Sequence, residues 1–536
     1  MKKILYTSVM AVLLLSSASC SNDFIDVNRN ENEAYNSELS PKERLAAAET
    51  TLHATHAVTL NRFGNLMMNA WTGNIYQYTA PFDDEMKMNV NSTFYDNIWD
   101  NYYNGIGNLQ RIIDTPGANT LYPGYAAAAK IMKAYYMQTI VDLYNDVPYS
   151  EAFKFQGNVT PKYDKGKDVY NALLKEVDEA LILLSNVPAN AIVSSSDVMF
   201  KGSVNDWVKF GNTVKLKMLV RLSGVTDSSV IAYRDAAMNT WPTLSKGFIT
   251  ASAIINPGYS KASVAQQNPL YRNYGAVSLA SGEINANYRL VLASAHIVDN
   301  MMGRTTLTSE VVDSRIENMF YANVWNYLEE AELTSNDFEG FFGLPQGTTS
   351  NPSNTVGDYT GLGLKQFLFL DANGNPSLAE GSKQDGIVMS LAEAELLQSE
   401  AAVVYPAKFS NGQVHFEAGI KASFSFYGVS AAADHYISEI NTKPNVGWNA
   451  STNKIAAIQY QRWIALTNIN PTETFISYTK TGFPVLPMPL GATTATRPVR
   501  LIYPQSEYVA NSSNVLNMAK SDAFSKTNQF APFWLK

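Results

Sequence analysis

The sequence predicts a mainly α protein, built of helical hairpins in series that carry a loop-rich half and few short strands. Three observations predict it. Apolar residues recur three or four apart through several long segments, the period of a helix with one greasy face. Short breaks of Asn, Asp, Gly and Pro separate those segments, so successive helices can fold back on one another. From about 223 to 387 that period weakens while Gly, Asn, Ser and Pro become common.

The chain opens on MKKILYTSVMAVLLLSSASC: a basic start at Lys2 and Lys3, an apolar run from Ile4 to Leu15 broken by Tyr6, Thr7 and Ser8, then small residues. This is an export signal, read as residues 1–19, and is too short for a membrane span. It ends at Cys20, the only cysteine among 536 residues. A lone cysteine forms no internal disulfide, and its place matches a bacterial lipoprotein cleavage site with diacylglycerol on the sulfur. A cysteine that merely ends a cleaved signal is the competing reading, and it leaves the position unexplained. Each acyl methylene contributes ~0.8 kcal/mol to membrane attachment, so several chains give a stable anchor. Residues 20–40, rich in Asn, Asp and Glu, read as a lipid-anchored tether.

Residues 41–536 read as a single domain, with a helical scaffold over about 41–222 and 388–470 and a loop-rich part over about 223–387. Ser40, Pro41 and Glu43 suit the start of a helix that runs through LAAAETTLHATHAVTL. Its His53 and His56 lie three apart on one face, but no third metal ligand stands nearby, and no metal site is expected. Phe94, Ile98, Tyr102, Ile106 and Leu109 predict a helix over about 92–114 that Pro116 and Gly117 end. Ala129, Met132, Tyr136, Ile140 and Leu143 predict the next, of about six turns, ended by Asn145, Asp146 and Pro148. Val169 to Leu184 and Trp207 to Leu222 supply a second hairpin, and a further helix is predicted near 291–302.

Charge narrows the partners. Once Lys2 and Lys3 are removed, 38 basic residues face 48 acidic ones. That balance argues against nucleic acid or an anionic membrane face as the main partner. The 30 tyrosines suit a protein that presents stacking surfaces. Trp71, Asn74, Tyr76 and Tyr78 stand beside Gly73 and Pro81, where rings spaced by polar residues often reach a solvent-facing loop. The competing reading buries Trp71 in the core. Asp371, Asn373 and Asn375 begin the spacing of a calcium loop, but position twelve is Ser382 and not glutamate, so a turn is expected. Glu393 and Glu400 lie seven apart on a helix, roughly 10.5 Å along its axis, wider than a glycosidase acid pair usually allows.

Several of these segments, taken in order, resemble the SusD/RagB family of Bacteroidetes outer-membrane lipoproteins. The corner LYNDVPYSEAF at 143–153, the helix DWVKFGNTVKLKMLVRL at 206–222 and DSRIENMF at 313–320 carry the first part of the likeness. HFEAGIKASFSFYGV at 415–429, the stretch from Lys454 to Pro487 and RPVRLIYPQSEYVANSSNV at 497–515 carry the rest. Asn145, Ser314 and Lys480 depart from the family's usual Gly, Pro and Arg. The resemblance implies tetratricopeptide-like helix pairs and a glycan site assembled on loops above them. It also implies non-catalytic capture of an oligosaccharide at the cell surface, without a cofactor, and delivery to a SusC-like TonB-dependent transporter. SNDFID after Cys20 resembles the signal that sends such lipoproteins outward. Tyr274, Asn285, Tyr288, Phe341 and Phe342 in the loop-rich part then join Trp71, Asn74, Tyr76 and Tyr78 as candidate ligand contacts. RagB-like relatives carry oligopeptides, so peptide is the alternative cargo; a surface glycoside hydrolase is a second alternative, and no motif places its acid pair.

Overall fold

The long helices form where the apolar period predicts them. A computed structural model describes residues 39–154, 157–322, 324, 340–350 and 359–536. Cys20, the tether up to residue 38 and Phe338 lie outside these. In chain order the main helices are α1 (Pro41–Thr55), α2 (Asn61–Met67), α3 (Asn97–Ile113), α4 (Pro123–Tyr144), α5 (Gly166–Ser185), α6 (Val204–Arg221) and α7 (Ser228–Asn239). After the loop-rich part come α8 (Leu391–Val404), α9 (Gly412–Phe426), α10 (Ala433–Ile440), α11 (Lys454–Leu466) and α12 (Pro471–Thr481). The molecule is mainly α, and residues Pro41–Lys536 form one compact unit.

Neighbours in sequence are neighbours in space. α3 packs on α4, α4 on α5 and α5 on α6, while α6 also meets α8, and α8 meets α9 and α11. α11 lies on α12, and α12 returns to α2. That last approach needs Gly64, since a Cβ there would sit 2.3 Å from the Pro471 carbonyl carbon. α5 buries one stripe, Val169, Leu173, Val177, Ala180, Leu181 and Leu184 among it. α4 differs from the single stripe expected of it: nearly all of its residues are buried, because helices cover it on every side. Its polar atoms are met accordingly. Lys130 and Lys133 reach Glu179 and Glu176 on α5 at 2.5 and 2.8 Å. The helix stops at Asn145, whose φ of 63° only a few residue types hold easily.

Charge is buried deeper still. Lys217 on α6 bridges Glu393 and Glu473, and Arg221 bridges Glu473 and Asp142, at 2.5–3.2 Å. Arg462 binds Glu400 at 2.6 Å, and Ser477 links the two groups by accepting from both arginines. Glu393 and Glu400 are therefore held apart by different cations, Lys217, shared with Glu473, and Arg462. Burial alone would raise the Glu473 carboxyl, yet Arg221 and Lys217 outweigh it and hold it down to about 2. Asp142 goes the other way, up to about 6, because burial outweighs Arg221 and Tyr170.

The strands are few and short, as expected, and most of them lie in the loop-rich part. β1 (Trp71–Gly73), β5 (Val291–Ala293), β6 (Phe320–Tyr321) and β7 (Gly361–Leu362) make a sheet of order β1-β5-β7-β6, antiparallel throughout. β2 (Val147–Pro148) pairs with β3 (Tyr163–Asp164), and β4 (Ala253–Ile255) with β8 (Gly386–Met389). The helix expected over 291–302 is thus corrected: Val291–Ala293 is a strand, and only Ala295–Met301 is helical, capped by Ser294. A run of three residues is too short to show its period. Asp371 accepts the amides of Asn373 and Asn375 at 2.8 and 3.0 Å, which makes that stretch a turn. Among the described residues no helix is long and apolar enough to cross a membrane.

Candidate functional site

The four-stranded sheet draws every candidate ring and amide into one neighbourhood, but sorts them into two layers. In the lower layer Trp71 is wholly buried; its indole N–H donates to Asn468 Oδ1 at 2.8 Å, and its ring meets Tyr274 edge-on at 5.2 Å. The Tyr288 hydroxyl donates to the Leu362 carbonyl at 2.9 Å, and Phe341 is buried beside the sheet. All four were expected on solvent-facing loops; Trp71, Tyr288 and Phe341 are buried instead, while Tyr274, itself buried, also lines the polar recess described below, and the inward turn has one cause. Short strands and helical turns carry them inward, where each ring covers apolar area. Asn74 and Asn285 are turn builders. Asn74 donates to the Arg289 carbonyl and accepts from the Tyr76 amide, while Asn285 caps Ala286–Leu290 and donates to the carbonyls of Arg272 and Asn273.

The upper layer is a ledge of rings. Tyr76 stacks on Tyr359 with centroids 5.3 Å apart and planes 27° from parallel. Tyr359 pairs with Phe342 across a parallel bridge, so their side chains share a face. Phe342 is 47% exposed, and the Arg304 guanidinium lies 5.0 Å from its ring centre. Arg304 is itself held by the Phe341 carbonyl at 2.7 Å. Tyr78, half-buried, donates its hydroxyl to the Ala286 carbonyl at 3.0 Å. Tyr359 and Arg304 were missed in the sequence. The only signal for Tyr359 is its isolation between Gly357 and Gly361.

Beyond the loop that carries Ala286 lies a polar recess of about 490 Å³, lined by Arg62, Asp84, Glu85, Asn273, Tyr274 and Asn287 among others. That volume falls in the range of small-molecule sites, ~300–1,000 Å³. Arg62 binds Glu85 at 2.7 Å and lies over the rings of Phe82 and Tyr95, 4.7 and 5.6 Å from their centres. The Tyr95 hydroxyl also donates to Glu85, at 2.7 Å. Burial would lower the Arg62 pKa, yet Tyr95 and Glu85 outweigh it and hold it above the ordinary guanidinium value. Phe82 and Tyr95 both hold left-handed backbone, φ 59° and 56°, a strained state for aromatic residues that the surrounding packing must maintain. No motif in the sequence announces this group.

The arrangement suits hydroxylated rings. Flat faces on the ledge can take C–H surfaces, and fixed carboxylate, guanidinium and amide groups in the recess can take hydroxyls. Among the described residues no group of three or more His, Cys, Asp or Glu could hold a metal ion.

Comparison with known proteins agrees over most of the chain. Residues 34–504 match the model of a SusD-like family described as starch-binding and associating with the outer membrane. Among solved structures, a SusD homologue from Bacteroides uniformis is 23% identical, with TM-score 0.62, covering 88% of this chain and 94% of its own. A chitin-binding SusD homologue from Flavobacterium johnsoniae is 21% identical, with TM-score 0.65 and coverage of 92% and 98%. A SusD homologue from Bacteroides fragilis is 20% identical, with TM-score 0.64 and coverage of 93% and 99%. These likenesses show the fold. No curated protein matches the chain. On the family match, which spans far more than half its length, the chain belongs to the SusD-like family.

Proposed function

We propose that this protein captures an oligosaccharide at the outer face of the outer membrane and passes it, without cleaving it, to a SusC-like TonB-dependent transporter. The ledge carries the reading: Tyr76, Tyr359 and Phe342 present neighbouring rings on one surface, with Tyr78 and the polar recess beside them. Two to three sugar units laid along such rings would bury C–H faces while their hydroxyls meet Asp84, Asn287 and Arg62. The family description and the chitin-binding relative are consistent with a glycan cargo. Attachment through Cys20 would keep the protein at the membrane beside its transporter. In this reading Trp71, Tyr288 and Phe341 support the ledge, Tyr274 lines the recess, and Asn74 and Asn285 shape the turns.

Calorimetric titration of the protein with a panel of oligosaccharides, alongside a peptide mixture, tests the proposal. Saturable heat with one glycan class is expected. Heat with peptides alone would replace the glycan by peptide, and release of reducing ends would make the protein a hydrolase.

A further inference from the structure

A cavity of about 270 Å³ opens between α11, the short helix Ala295–Met301 and residues 483–485, which follow α12. Its lining shares no residue with the ledge or the recess. Thr306, Asn445 and Val485 stand exposed at the mouth, Val485 by 75%, and Ala456, Tyr460 and Pro484 are buried beneath them. An apolar cavity of ~150 Å³ takes one benzene ring, so this one has room for a substituted ring.

The wall is largely apolar, with Leu307, Phe483, Pro484 and Val485 in it, and among the described residues that line it none is Asp, Glu, Lys or Arg. Asn300 and Thr305 are already spent. Asn300 donates to the His296 carbonyl at 2.8 Å and accepts from the Thr305 hydroxyl at 3.1 Å. His296 and Tyr460 are not. Both rings rest on Trp463, with centroids 5.3 and 5.9 Å away, which fixes them before any ligand arrives. Among the described residues, the His296 ring nitrogens and the Tyr460 hydroxyl make no hydrogen bond, and they are not among the buried atoms closed off without a partner. Polar atoms that are fixed, unpaired and open to a cavity point to what fills it.

The lining excludes two kinds of occupant. A sugar would set most of its hydroxyls against apolar wall, where each unpaired one weakens binding. An ion would find no counter-charge. Burial, and after it the Arg497 charge, lower His296 to about 4, so at neutral pH its ring is neutral and offers one N–H and one lone pair. One hydroxyl answers the two side chains together, donating to the His296 lone pair and accepting from Tyr460. On a flat ring, that hydroxyl leaves the ring's faces free to cover Phe483 and Leu307.

We propose that this cavity binds one small neutral phenol, its ring against Phe483 and Leu307 and its hydroxyl between His296 and Tyr460. The ligand differs in class from the glycan of the ledge, and the site stands whether or not the ledge binds an oligosaccharide.

The test is calorimetric titration of the protein with p-cresol and with 4-methylanisole, the same ring with its hydroxyl methylated. Saturable binding of p-cresol is expected, at least tenfold tighter than that of its ether. Val485→Asp alters an exposed residue and sets a charge in the apolar wall; it should weaken p-cresol at least tenfold. The Tyr76→Ala/Phe342→Ala double variant should bind p-cresol as the parent does, which separates this site from the ledge. No saturable binding, equal affinity for the two ligands, an unaffected Val485→Asp or a loss in the double variant overturns the proposal. His296→Phe keeps a ring on Trp463 and removes both nitrogens, so it should erase the preference for p-cresol; a folded His296→Phe protein that keeps the preference overturns the proposal too. Should His296→Phe fail to fold, the Val485→Asp result decides.

Discussion

The charged cluster between α6, α8, α11 and α12 and the ring ledge on the sheet make opposite use of the residues that bear chemistry. In the cluster, Lys217, Arg221 and Arg462 are matched by Asp142, Glu393, Glu400 and Glu473, and their charges are spent on one another. On the ledge, Tyr76, Tyr359 and Phe342 are fastened by backbone pairing and by one another, and one side remains toward solvent. The comparison separates residues whose charges are satisfied inside the fold from residues left facing solvent. Glu393 and Glu400 are closed off among cations, whereas in the function proposed above the ligand meets the rings and the polar recess beside them.

If the cluster is framework, breaking it should cost stability first. Arg221→Ala strands Glu473 and Asp142 in the interior and is expected to destabilise the protein by about 3–5 kcal/mol, the usual result of removing one partner from a buried ion pair. A urea midpoint shifted by less than about 1 kcal/mol would show the cluster to be dispensable. Next comes the support beneath the ledge. Trp71→Phe removes the donor to Asn468 and should cost about 1–3 kcal/mol, the penalty of one unsatisfied buried acceptor. A Trp71→Phe protein as stable as the parent would mean that this hydrogen bond does not hold the lower layer.

A pH experiment sharpens the same contrast. Glu49 on α1 is fully buried, accepts from the Val198 amide at 2.9 Å and lies beside Asp197. Burial, then the Asp197 charge, raise its pKa well above 4.5. The folded state therefore keeps a proton that the unfolded chain releases above about pH 4.5. The stability this gives is fully present below that pH and is lost as pH rises toward the folded pKa, by at most about 1.4 kcal/mol per unit. Glu49→Gln keeps the shape without the titration. Its stability relative to the parent, from denaturation at pH 4, 5.5 and 7, should grow with pH; a constant difference would mean that Glu49 ionises normally in the fold.

Much of the scaffold was legible because long helices repeat their period many times over. Asn212, in the family-like segment at 206–222, donates to the Thr243 and Gly247 carbonyls and accepts from Trp241. Arg497 and Tyr503, in the family-like segment at 497–515, donate to the Met67 and Asp146 carbonyls and so fasten the C-terminal region to the helices. Lys480, which stands where the family has Arg, still bonds the Val220 carbonyl and Ser223 on α6 and its neighbour, with burial lowering it to about 8. The site was legible only as a neighbourhood. In a strand of three residues nothing in the sequence tells an inward ring from an outward one, so Trp71 and Tyr76 looked alike. Arg62, Glu85 and Tyr95 meet through tertiary packing and left-handed turns, and Tyr359 joins Tyr76 from a segment far along the chain. None of these leaves a spacing to read.

The smallest effect on stability is expected at the ledge, and there the central claim is tested most directly. Tyr76→Ala with Phe342→Ala removes half-exposed rings and should cost at most about 1 kcal/mol of stability, in line with other surface changes. Calorimetric titration of parent and double variant with the oligosaccharide that the parent binds should show at least a tenfold loss of affinity. Equal affinity in the two proteins would contradict the account and move the glycan site off the ledge.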